Sequence, residues 1–297
     1  MRVLVTGAAG QLGRSIAKLC NQSPHTIMLL DRSELDITVT GSIEQALNLH
    51  RPDVLINTAA YTAVDRAESE VELSERVNHQ GPHNLARACA QRQLPLLHVS
   101  TDYVFDGQGQ QPYTPEYPAQ PLGVYGASKW RGEEAVRQHC RKHLVVRTAW
   151  VFSEFANNFL KTMLRLGVER ESLYVVADQQ GGPTYAPHLA AALLSMAEQA
   201  SKPEFSAWGT YHFAGEPATT WYAFACEIFR QAVASGVLSR APQVQAIPTS
   251  AYPTPAKRPA YSVLDCQRTL QVFGVLERRW QIGIEEALKT LSPLKQS

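Results

Sequence analysis

A glycine turn close to the N-terminus constrains the fold of this chain more than any other feature. Gly7, Gly10 and Gly13 form a Gly-x-x-Gly-x-x-Gly pattern directly after the apolar run at residues 3–5. Apolar residues at helical spacing follow, namely Leu12, Ile16 and Leu19. Such glycines permit a tight turn, close approach of the backbone to a pyrophosphate, and close packing of helix on strand. The pattern predicts a dinucleotide-binding βαβ unit, with a plain βα turn as the alternative.

Short apolar runs alternate with helical patterns over the first half of the chain. Further runs cover residues 27–30, 54–56, 96–99 and 144–146. Helical patterns cover residues 42–50, 65–92 and 128–141. This alternation predicts an α/β fold with a Rossmann-like, doubly wound parallel sheet. Ligands of such sheets bind beyond the carboxyl ends of the strands.

The pattern is less regular after residue 150. It predicts helices over 157–166 and 221–234, a strand over 211–213, and a polar glycine loop over 178–184. Five prolines between residues 242 and 259 predict an extended, ordered loop that is not helical. We expect an NAD(P)-binding Rossmann domain over residues 1–150, to which the chain returns near 186–215. Residues 151–297 are expected to form mainly a smaller C-terminal substrate-binding domain.

Composition excludes several classes of protein. The 297 residues are 44% hydrophobic, and 28 basic and 27 acidic residues leave a net charge of +1. This balance lacks the basic footprint of nucleic-acid binding, and no run of 18 apolar residues predicts a membrane span. The five cysteines are scattered without a Cys-x-x-Cys pair, which favours reduced thiols. We therefore expect a cytoplasmic protein with neither a nucleic-acid nor a membrane partner.

Tyr125 and Lys129 are the strongest candidates for catalysis. They lie four residues apart, so on a helix they share a face, and the ammonium would favour the anionic form of the phenol. Ser100 and Thr101 follow the fourth predicted strand and supply hydroxyls for a substrate oxygen. An amphipathic helix with an exposed lysine is the structural alternative. Together with the glycine turn, the set predicts a site for hydride transfer.

The residues after the second predicted strand leave the choice of nicotinamide cofactor open. Asp31 follows the glycines by about twenty residues, where a carboxylate accepts hydrogen bonds from an adenosine ribose and favours NAD. Arg32 and Arg14 offer a cation for the 2′-phosphate of NADP. NADPH and NADH therefore both remain open. A turn or capping role is the alternative for Asp31.

Several longer motifs resemble known families. The segments at residues 6–13, 51–54, 100–105, 125–129 and 147–150 resemble the extended short-chain dehydrogenases/reductases. The segments at residues 157–165, 178–184 and 248–259 are similar to the dTDP-4-dehydrorhamnose reductase family within that group. The likeness covers almost the whole chain.

This resemblance implies an activity and a role for each catalytic candidate. The family reduces the C4 ketone of dTDP-4-dehydro-L-rhamnose to dTDP-L-rhamnose with NADPH or NADH, for polysaccharide biosynthesis. Tyr125 would supply the proton, and Lys129 would bind the nicotinamide ribose and lower the tyrosine pKa. Thr101, where many relatives carry serine, would hydrogen-bond the sugar oxygen.

The resemblance also implies binding residues. Asp102 and Trp150 would contact the nucleotide sugar. The charges of Lys257 and Arg258 suggest that they face its diphosphate, with a solvated loop as the alternative. The expected cofactor groove comprises Gly7, Gly10, Gln11, Leu12, Gly13, Asp31, Arg32, Asp36, Ile37, Ala60, Tyr61, Thr62, Val99, Tyr125 and Lys129.

Some family members dimerise through a magnesium site built from glutamates. Ser15 and Pro187 stand at the matching positions and supply no carboxylate, so we predict no metal. A monomer and a different homodimer both remain open. Two other functions also remain open: a related nucleotide-sugar reductase or epimerase, and a non-catalytic NADP-binding regulatory subunit. The presence of Thr101, Tyr125 and Lys129 argues against the regulatory role.

Overall fold

The computed structural model describes residues 1–274 and 277–291. Its strands are β1 (Arg2–Thr6), β2 (Thr26–Leu30), β3 (Val54–Asn57), β4 (Leu96–Thr101), β5 (His143–Thr148), β6 (Val151–Phe152), β7 (Ser172–Val176), β8 (Gln180–Gly181), β9 (Thr184–Tyr185), β10 (Gly209–His212), β11 (Thr219–Thr220) and β12 (Gln243–Ile247). Its α-helices are α1 (Gln11–Leu19), α2 (Thr40–His50), α3 (Val64–Ala67), α4 (Val71–Glu75), α5 (Gly81–Gln91), α6 (Val124–His139), α7 (Phe159–Glu169), α8 (Ala186–Ala200), α9 (Trp221–Ala234), α10 (Gln267–Phe273) and α11 (Trp280–Lys289). None of these described helices combines the length and apolar character needed to cross a membrane.

A parallel six-stranded sheet in the order β10-β5-β4-β3-β1-β2 forms the centre of the fold. Side chains of a strand alternate between its two faces, so each strand contributes to two apolar layers. Val3 and Val5 pack in the layer that contains α1 and α8. Leu4 packs in the opposite layer with residues of α2 and α5. The predicted α/β, doubly wound class is therefore confirmed.

The chain returns to this sheet after residue 185. β10 pairs in parallel with β5, with Tyr211 opposite Val146. The buried side chains of α8, including Leu189 and Leu193, pack in the same layer as those of α1. The strand that the sequence predicts over 211–213 is therefore observed, although it begins two residues earlier. The division into two domains stays a prediction.

A second apolar cluster is built from the later helices. It brings together buried residues of α7, α9 and α11, among them Leu160, Phe224 and Ile284. The parallel pair of β7 and β12 packs on this cluster through Leu173 and Val175.

Two predicted loops contain strands. The prediction of a loop throughout 242–259 is wrong at its start, since β12 occupies Gln243–Ile247. Pro242 and Pro248 lie just outside β12, so the five residues between them keep the N–H groups that a strand requires. The glycine loop predicted over 178–184 likewise contains β8, which pairs with β11.

The single helix predicted over 65–92 is also wrong. The structure has three α-helices, α3, α4 and α5, with a π-helical turn at Arg76–Gln80 before α5. Glu70 leaves helical geometry, with φ −110° and ψ 46°, and so separates α3 from α4. Pro82 has no N–H to donate, which accounts for the irregular hydrogen bonding ahead of α5.

Candidate active site

The glycine turn places the N-terminus of α1 at the carboxyl edge of the sheet. Gly7 has φ +74°, and a Cβ there would lie 2.7 Å from the Ala59 nitrogen. A Cβ on Gly13 would lie 2.5 Å from the Gly7 carbonyl oxygen, so this glycine allows α1 to pack against the turn. Gly10 is the N-cap and offers no side chain to the first N–H groups of α1. This open helix end fits a pyrophosphate.

Asp31 follows β2 on the same edge and already stabilises a turn. Its Oδ1 accepts hydrogen bonds from the Ser33 hydroxyl at 2.6 Å and from the Ser33 nitrogen at 2.8 Å. These bonds hold the pKa of Asp31 below its ordinary value. Within the described chain, all the hydrogen bonds that its carboxylate accepts go to Oδ1. The turn role and the predicted ribose contact are therefore compatible.

The neighbouring candidates differ in how exposed they are. The Arg32 side chain is 72% exposed and its Nε lies 3.2 Å from Asp36 Oδ2. Asp36 also accepts bonds from the Thr38 hydroxyl and nitrogen. Ile37 is buried, and a Cβ on Gly81 would lie 2.6 Å from its Cδ1. Ile37 therefore has a packing role.

The segment after β3 is held by buried polar side chains. The amide of Asn78, in the π-helical turn, accepts from the Tyr61 nitrogen at 2.9 Å and donates to the Tyr61 oxygen at 3.0 Å. The Tyr61 hydroxyl donates to Glu70 at 2.5 Å. Ala60 and Thr62 lie on either side of this fixed residue, and Thr62 is exposed. The irregular turn thus fixes the loop next to the glycines.

Tyr125 and Lys129 lie on the first turns of α6 and are both buried. Lys129 Nζ donates to the Val99 carbonyl of β4 at 2.7 Å, which joins α6 to the sheet. Thr101 ends β4, and its hydroxyl donates to Asp102 Oδ1 at 3.0 Å. A Cβ on Gly126 would lie 2.1 Å from the Tyr103 oxygen, so only glycine lets α6 pack this closely. The structure therefore brings the predicted catalytic groups together.

Burial determines the protonation of this pair. It raises the pKa of Tyr125, the Thr101 hydrogen bond opposes the rise, and the Asp102 charge adds to it. Burial also lowers the pKa of Lys129 to about 8. The predicted lowering of the tyrosine pKa by Lys129 is not observed, because desolvation dominates and the ammonium is bound to Val99. At neutral pH Tyr125 therefore keeps a proton to donate.

A buried ion pair lies behind Lys129 and was missed in the sequence. Glu133 accepts from Arg147 Nε at 2.9 Å and from Arg147 Nη2 at 2.7 Å. Arg137 Nη1 also donates to Glu133, at 3.0 Å. Burial raises the pKa of Glu133, but the Arg147 charge and hydrogen bonds outweigh it and hold the value at about 2. The position of Glu133, four residues after Lys129, is the signal that could have identified it.

Trp150 lies two residues after the end of β5 and adopts the left-handed conformation, with φ +48°. Such a conformation in a bulky residue persists only where the surroundings impose it. Its ring stacks on Trp221 with centroids 3.6 Å apart and an angle of 10°. A Cβ on Gly181 would lie 2.5 Å from the Trp150 ring. The sequence predictions missed Trp221 and Gly181, although both fall in segments that they named.

Asp102 and Arg258 each contact a neighbour of Tyr125, namely Thr101 and Tyr103. Burial raises the pKa of Asp102 to about 6, against the opposing hydrogen bonds of Ser262 and Thr101. Arg258 Nη2 lies 2.8 Å from Asp65 Oδ2, and its Nη1 donates to the Tyr103 hydroxyl at 3.1 Å.

The Arg258 contacts lead directly to Tyr125. The Tyr103 ring packs edge-on against Tyr125 with centroids 5.5 Å apart. The proline-rich segment therefore reaches Tyr125 through a single side chain, that of Tyr103. Lys257, its neighbour, is exposed.

The residues at the expected magnesium positions have other roles. Ser15 is buried in α1 and donates to the Gln11 carbonyl at 2.8 Å. Pro187 lies in the first turn of α8. Within residues 1–274 and 277–291, no group of three or more histidine, cysteine, aspartate or glutamate side chains is placed to hold a metal ion.

Comparison with known proteins assigns the family. A family model described as the RmlD substrate binding domain matches residues 1–292. The chain belongs to this family. A relative named dTDP-4-dehydrorhamnose reductase from Aggregatibacter actinomycetemcomitans is 48% identical over 285 residues, covering 96% of this chain and 97% of the relative.

Solved structures of RmlD-like proteins superpose closely. A crystal structure of a dTDP-4-dehydrorhamnose reductase from Clostridium acetobutylicum has a TM-score of 0.89 and 37% identity, covering 97% of this chain and 99% of its own. One from Bacillus anthracis, in complex with NADP, has a TM-score of 0.89 and 35% identity, covering 98% and 99%. The likeness therefore extends over almost the whole chain.

Proposed function

We propose that the protein reduces the C4 ketone of dTDP-4-dehydro-L-rhamnose to dTDP-L-rhamnose with NADPH or NADH, the last step of dTDP-L-rhamnose biosynthesis. The observation that carries this proposal is the gathering of Thr101, Tyr125 and Lys129 at the edge where the glycine turn opens. Membership in the RmlD family and the names of the relatives support the choice of substrate.

The residues present fit a nicotinamide dinucleotide. The bound cofactor supplies a hydride to the substrate carbonyl carbon. The uncapped end of α1 suits its pyrophosphate, since the glycines leave backbone N–H groups open to an anion. Asp31 and the exposed Arg32 are the groups from which a preference between NADH and NADPH would arise. The proposal therefore keeps both cofactors.

The protein contributes the proton. Tyr125 Oη donates it to the substrate C4 oxygen as that oxygen gains negative charge, and the phenol becomes a phenolate. With a pKa of about 8, Lys129 keeps most of its charge at neutral pH, and we propose that this ammonium would bind the nicotinamide ribose. The Thr101 hydroxyl orients the same substrate oxygen. The raised pKa of Tyr125 suits reduction of the ketone, because the phenol stays protonated until the substrate oxygen becomes negatively charged.

The aromatic pair and Arg258 provide the rest of the substrate site. The stacked rings of Trp150 and Trp221 form a rigid apolar surface on which the nucleotide sugar would pack. Arg258 matches a diphosphate geometrically and is now paired with Asp65. We propose that the diphosphate replaces Asp65 as the partner of this guanidinium. Asp102, whose carboxylate is buried at the end of β4, would bind a sugar hydroxyl.

Absorbance of the nicotinamide tests the proposal. Purified protein is mixed with NADPH or NADH and with dTDP-4-dehydro-L-rhamnose made enzymatically from dTDP-glucose. We expect oxidation of the cofactor and formation of dTDP-L-rhamnose. A product of different stereochemistry would indicate another nucleotide-sugar reductase or epimerase. Cofactor binding without turnover would favour the regulatory subunit.

Tyr125→Phe isolates the role of the phenol. The variant should bind the cofactor normally and lose most turnover, because only the proton donor is removed. Tyr174→Phe is a matched control, since the Tyr174 side chain is 62% exposed on β7. Near-normal turnover by Tyr125→Phe would refute the assignment of the acid.

We also infer a cytoplasmic location. All five cysteines lie among the described residues and are unpaired, which supports a reducing compartment. A homodimer that does not depend on magnesium remains part of the proposal. Light scattering with and without a chelator tests it, and a mass that falls on chelation would contradict it.

A further inference from the structure

One face of α1 is bound to the loop that follows β6. Gln11 and Lys18 are seven residues apart, so their side chains leave the helix on the same face. Both contact the loop at residues 153–158, which leads from the Trp150 region into α7. The first residue of the helix at the proposed cofactor site is therefore tied to the loop that leads to the proposed substrate surface.

The Gln11 side-chain carbonyl accepts two hydrogen bonds. Ser153 Oγ donates to Gln11 Oε1 at 2.9 Å, and Asn158 Nδ2 donates to it at 3.0 Å. Asn158 is also the N-cap of α7, where its Oδ1 accepts from the Lys161 nitrogen at 3.2 Å. One amide group thus joins the glycine turn to the start of a second helix.

A second contact holds the same loop. Glu154 is buried, and its Oε1 lies 2.8 Å from Lys18 Nζ. Its Oε2 accepts from the Tyr185 hydroxyl at 3.0 Å. Because Lys18 and Gln11 lie two turns apart on α1, the loop is fixed at two points along that helix.

The loop continues directly into the aromatic pair. Phe159, next to Asn158, packs on Trp221 with ring centroids 4.7 Å apart. Trp221 in turn stacks on Trp150 at 3.6 Å. A shift of Asn158 relative to Gln11 would therefore move a residue that supports the proposed substrate surface.

We propose that Gln11, Ser153 and Asn158 form a positioning link that couples cofactor binding at the glycine turn to nucleotide-sugar binding at the Trp150–Trp221 stack. This inference rests on the proposed function, which supplies the two ligands. A cofactor bound at the end of α1 would hold Gln11 in the arrangement seen here and, through Gln11, the loop and Phe159. The second ligand then meets a loop that is already held in place, so it binds more tightly than it would alone.

Calorimetry measures the coupling directly. The affinity of the full chain for dTDP is determined with and without saturating NADP⁺, and the affinity for NADP⁺ is determined alone. We expect NADP⁺ to tighten dTDP binding about threefold to tenfold, the range that one or two ordinary hydrogen bonds supply. A ratio of one in the unmodified protein would overturn the proposal.

Asn158→Ser is the main variant. Serine keeps an acceptor for the helix cap but lacks the amide, which reaches Gln11 and also donates to the Ser153 and Phe155 carbonyls of the loop. We expect the dTDP affinity ratio to fall within about twofold of one, with NADP⁺ affinity alone unchanged. Ser153→Ala removes the other donor to Gln11 and should lower the ratio in the same direction.

Arg165→Ala is the control on the same helix. It removes an exposed pair with Glu169 and leaves the loop intact, so the ratio should not change. A ratio that stays high in both loop variants would refute the link. An equal loss of affinity for dTDP and for NADP⁺ in the loop variants would also refute the link, since that result indicates only a structural defect. Turnover of the unmodified protein, assayed separately, shows whether the proposed function itself has failed.

Discussion

Replacement of Glu133 by glutamine should strongly destabilise the protein. Glu133 is fully buried and neutralises Arg147, which is 1% exposed. Glutamine keeps the size of the side chain but removes its charge. One amide oxygen then faces three donors: Arg147 Nε, Arg147 Nη2 and Arg137 Nη1. The Arg147 guanidinium is left buried without a counter-ion.

Two independent estimates give a similar cost. Breaking a buried ion pair by removal of one partner typically costs about 3–5 kcal/mol. The fall in the pKa of Glu133 from 4.5 to about 2 corresponds to about 3 kcal/mol of native-state stability at neutral pH. We therefore expect Glu133→Gln to lower the free energy of unfolding by about 3 kcal/mol at pH 7.

The cost should depend on pH in a defined direction. The folded-state pKa of Glu133 is depressed, so its contribution is complete above the unfolded value of 4.5. It is lost as pH falls through the folded value of about 2. The difference between the variant and the parent should therefore shrink to about 1 kcal/mol at pH 3.

Urea unfolding followed by tryptophan fluorescence measures this difference. Trp130 is a local reporter, because Arg137 lies 4.4 Å from the centre of its ring. Glu169→Gln is the matched control, since its exposed pair with Arg165 on α7 contributes at most about 0.5 kcal/mol. A loss below about 1 kcal/mol at pH 7, or a loss that does not change between pH 7 and pH 3, would refute the reasoning.

Three further predictions concern the active site. Gly13→Ala should abolish cofactor binding, because its Cβ would lie 2.5 Å from a backbone oxygen. Fluorescence titration measures this binding. The control Gly41→Ala, which has open space around its Cβ, should bind the cofactor normally. The rate of turnover should fall as pH rises through about 8, where Lys129 loses its proton. The charge of Glu133 raises the Lys129 pKa, so in Glu133→Gln this fall should occur at a lower pH. A rate that does not change between pH 7 and pH 9 would contradict this role of Lys129. Asp31→Ala should shift the ratio of NADH to NADPH activity, and an unchanged ratio would remove Asp31 from the cofactor site.

Elements set by neighbouring residues were predictable from the sequence. The glycine turn, the apolar strands and α9 are each specified by local chemistry or periodicity. The broken helix between residues 64 and 91 was not, because apolar periodicity continues through Glu70 and Pro82 while the backbone does not. β12 was hidden by its flanking prolines, and its existence depends on a partner, β7, about seventy residues earlier in the chain.

The candidate site was predictable to a similar depth. Tyr125, Lys129 and Thr101 are brought together because their strand and helix meet at one edge of the sheet. The roles of Glu133 and Trp221 became clear only from the structure. Glu133 pairs with Arg147 and Trp221 stacks on Trp150, and these partners are distant in the chain. The direction of the Tyr125 pKa shift could not be predicted from the sequence either, because residue spacing reveals a nearby ammonium but not the degree of burial.

The late return of α8 and β10 to the sheet has a consequence for synthesis of the chain. Until residue 200 leaves the ribosome, the apolar side of α1 lacks α8, and until residue 212 does, the outer edge of β5 has no partner. About sixty residues separate β5 from the end of β10, which at about 5–20 residues per second is about 3–12 seconds of translation. A nascent chain in that interval presents an unpaired parallel edge and a bare apolar layer, which are the surfaces that chaperones recognise.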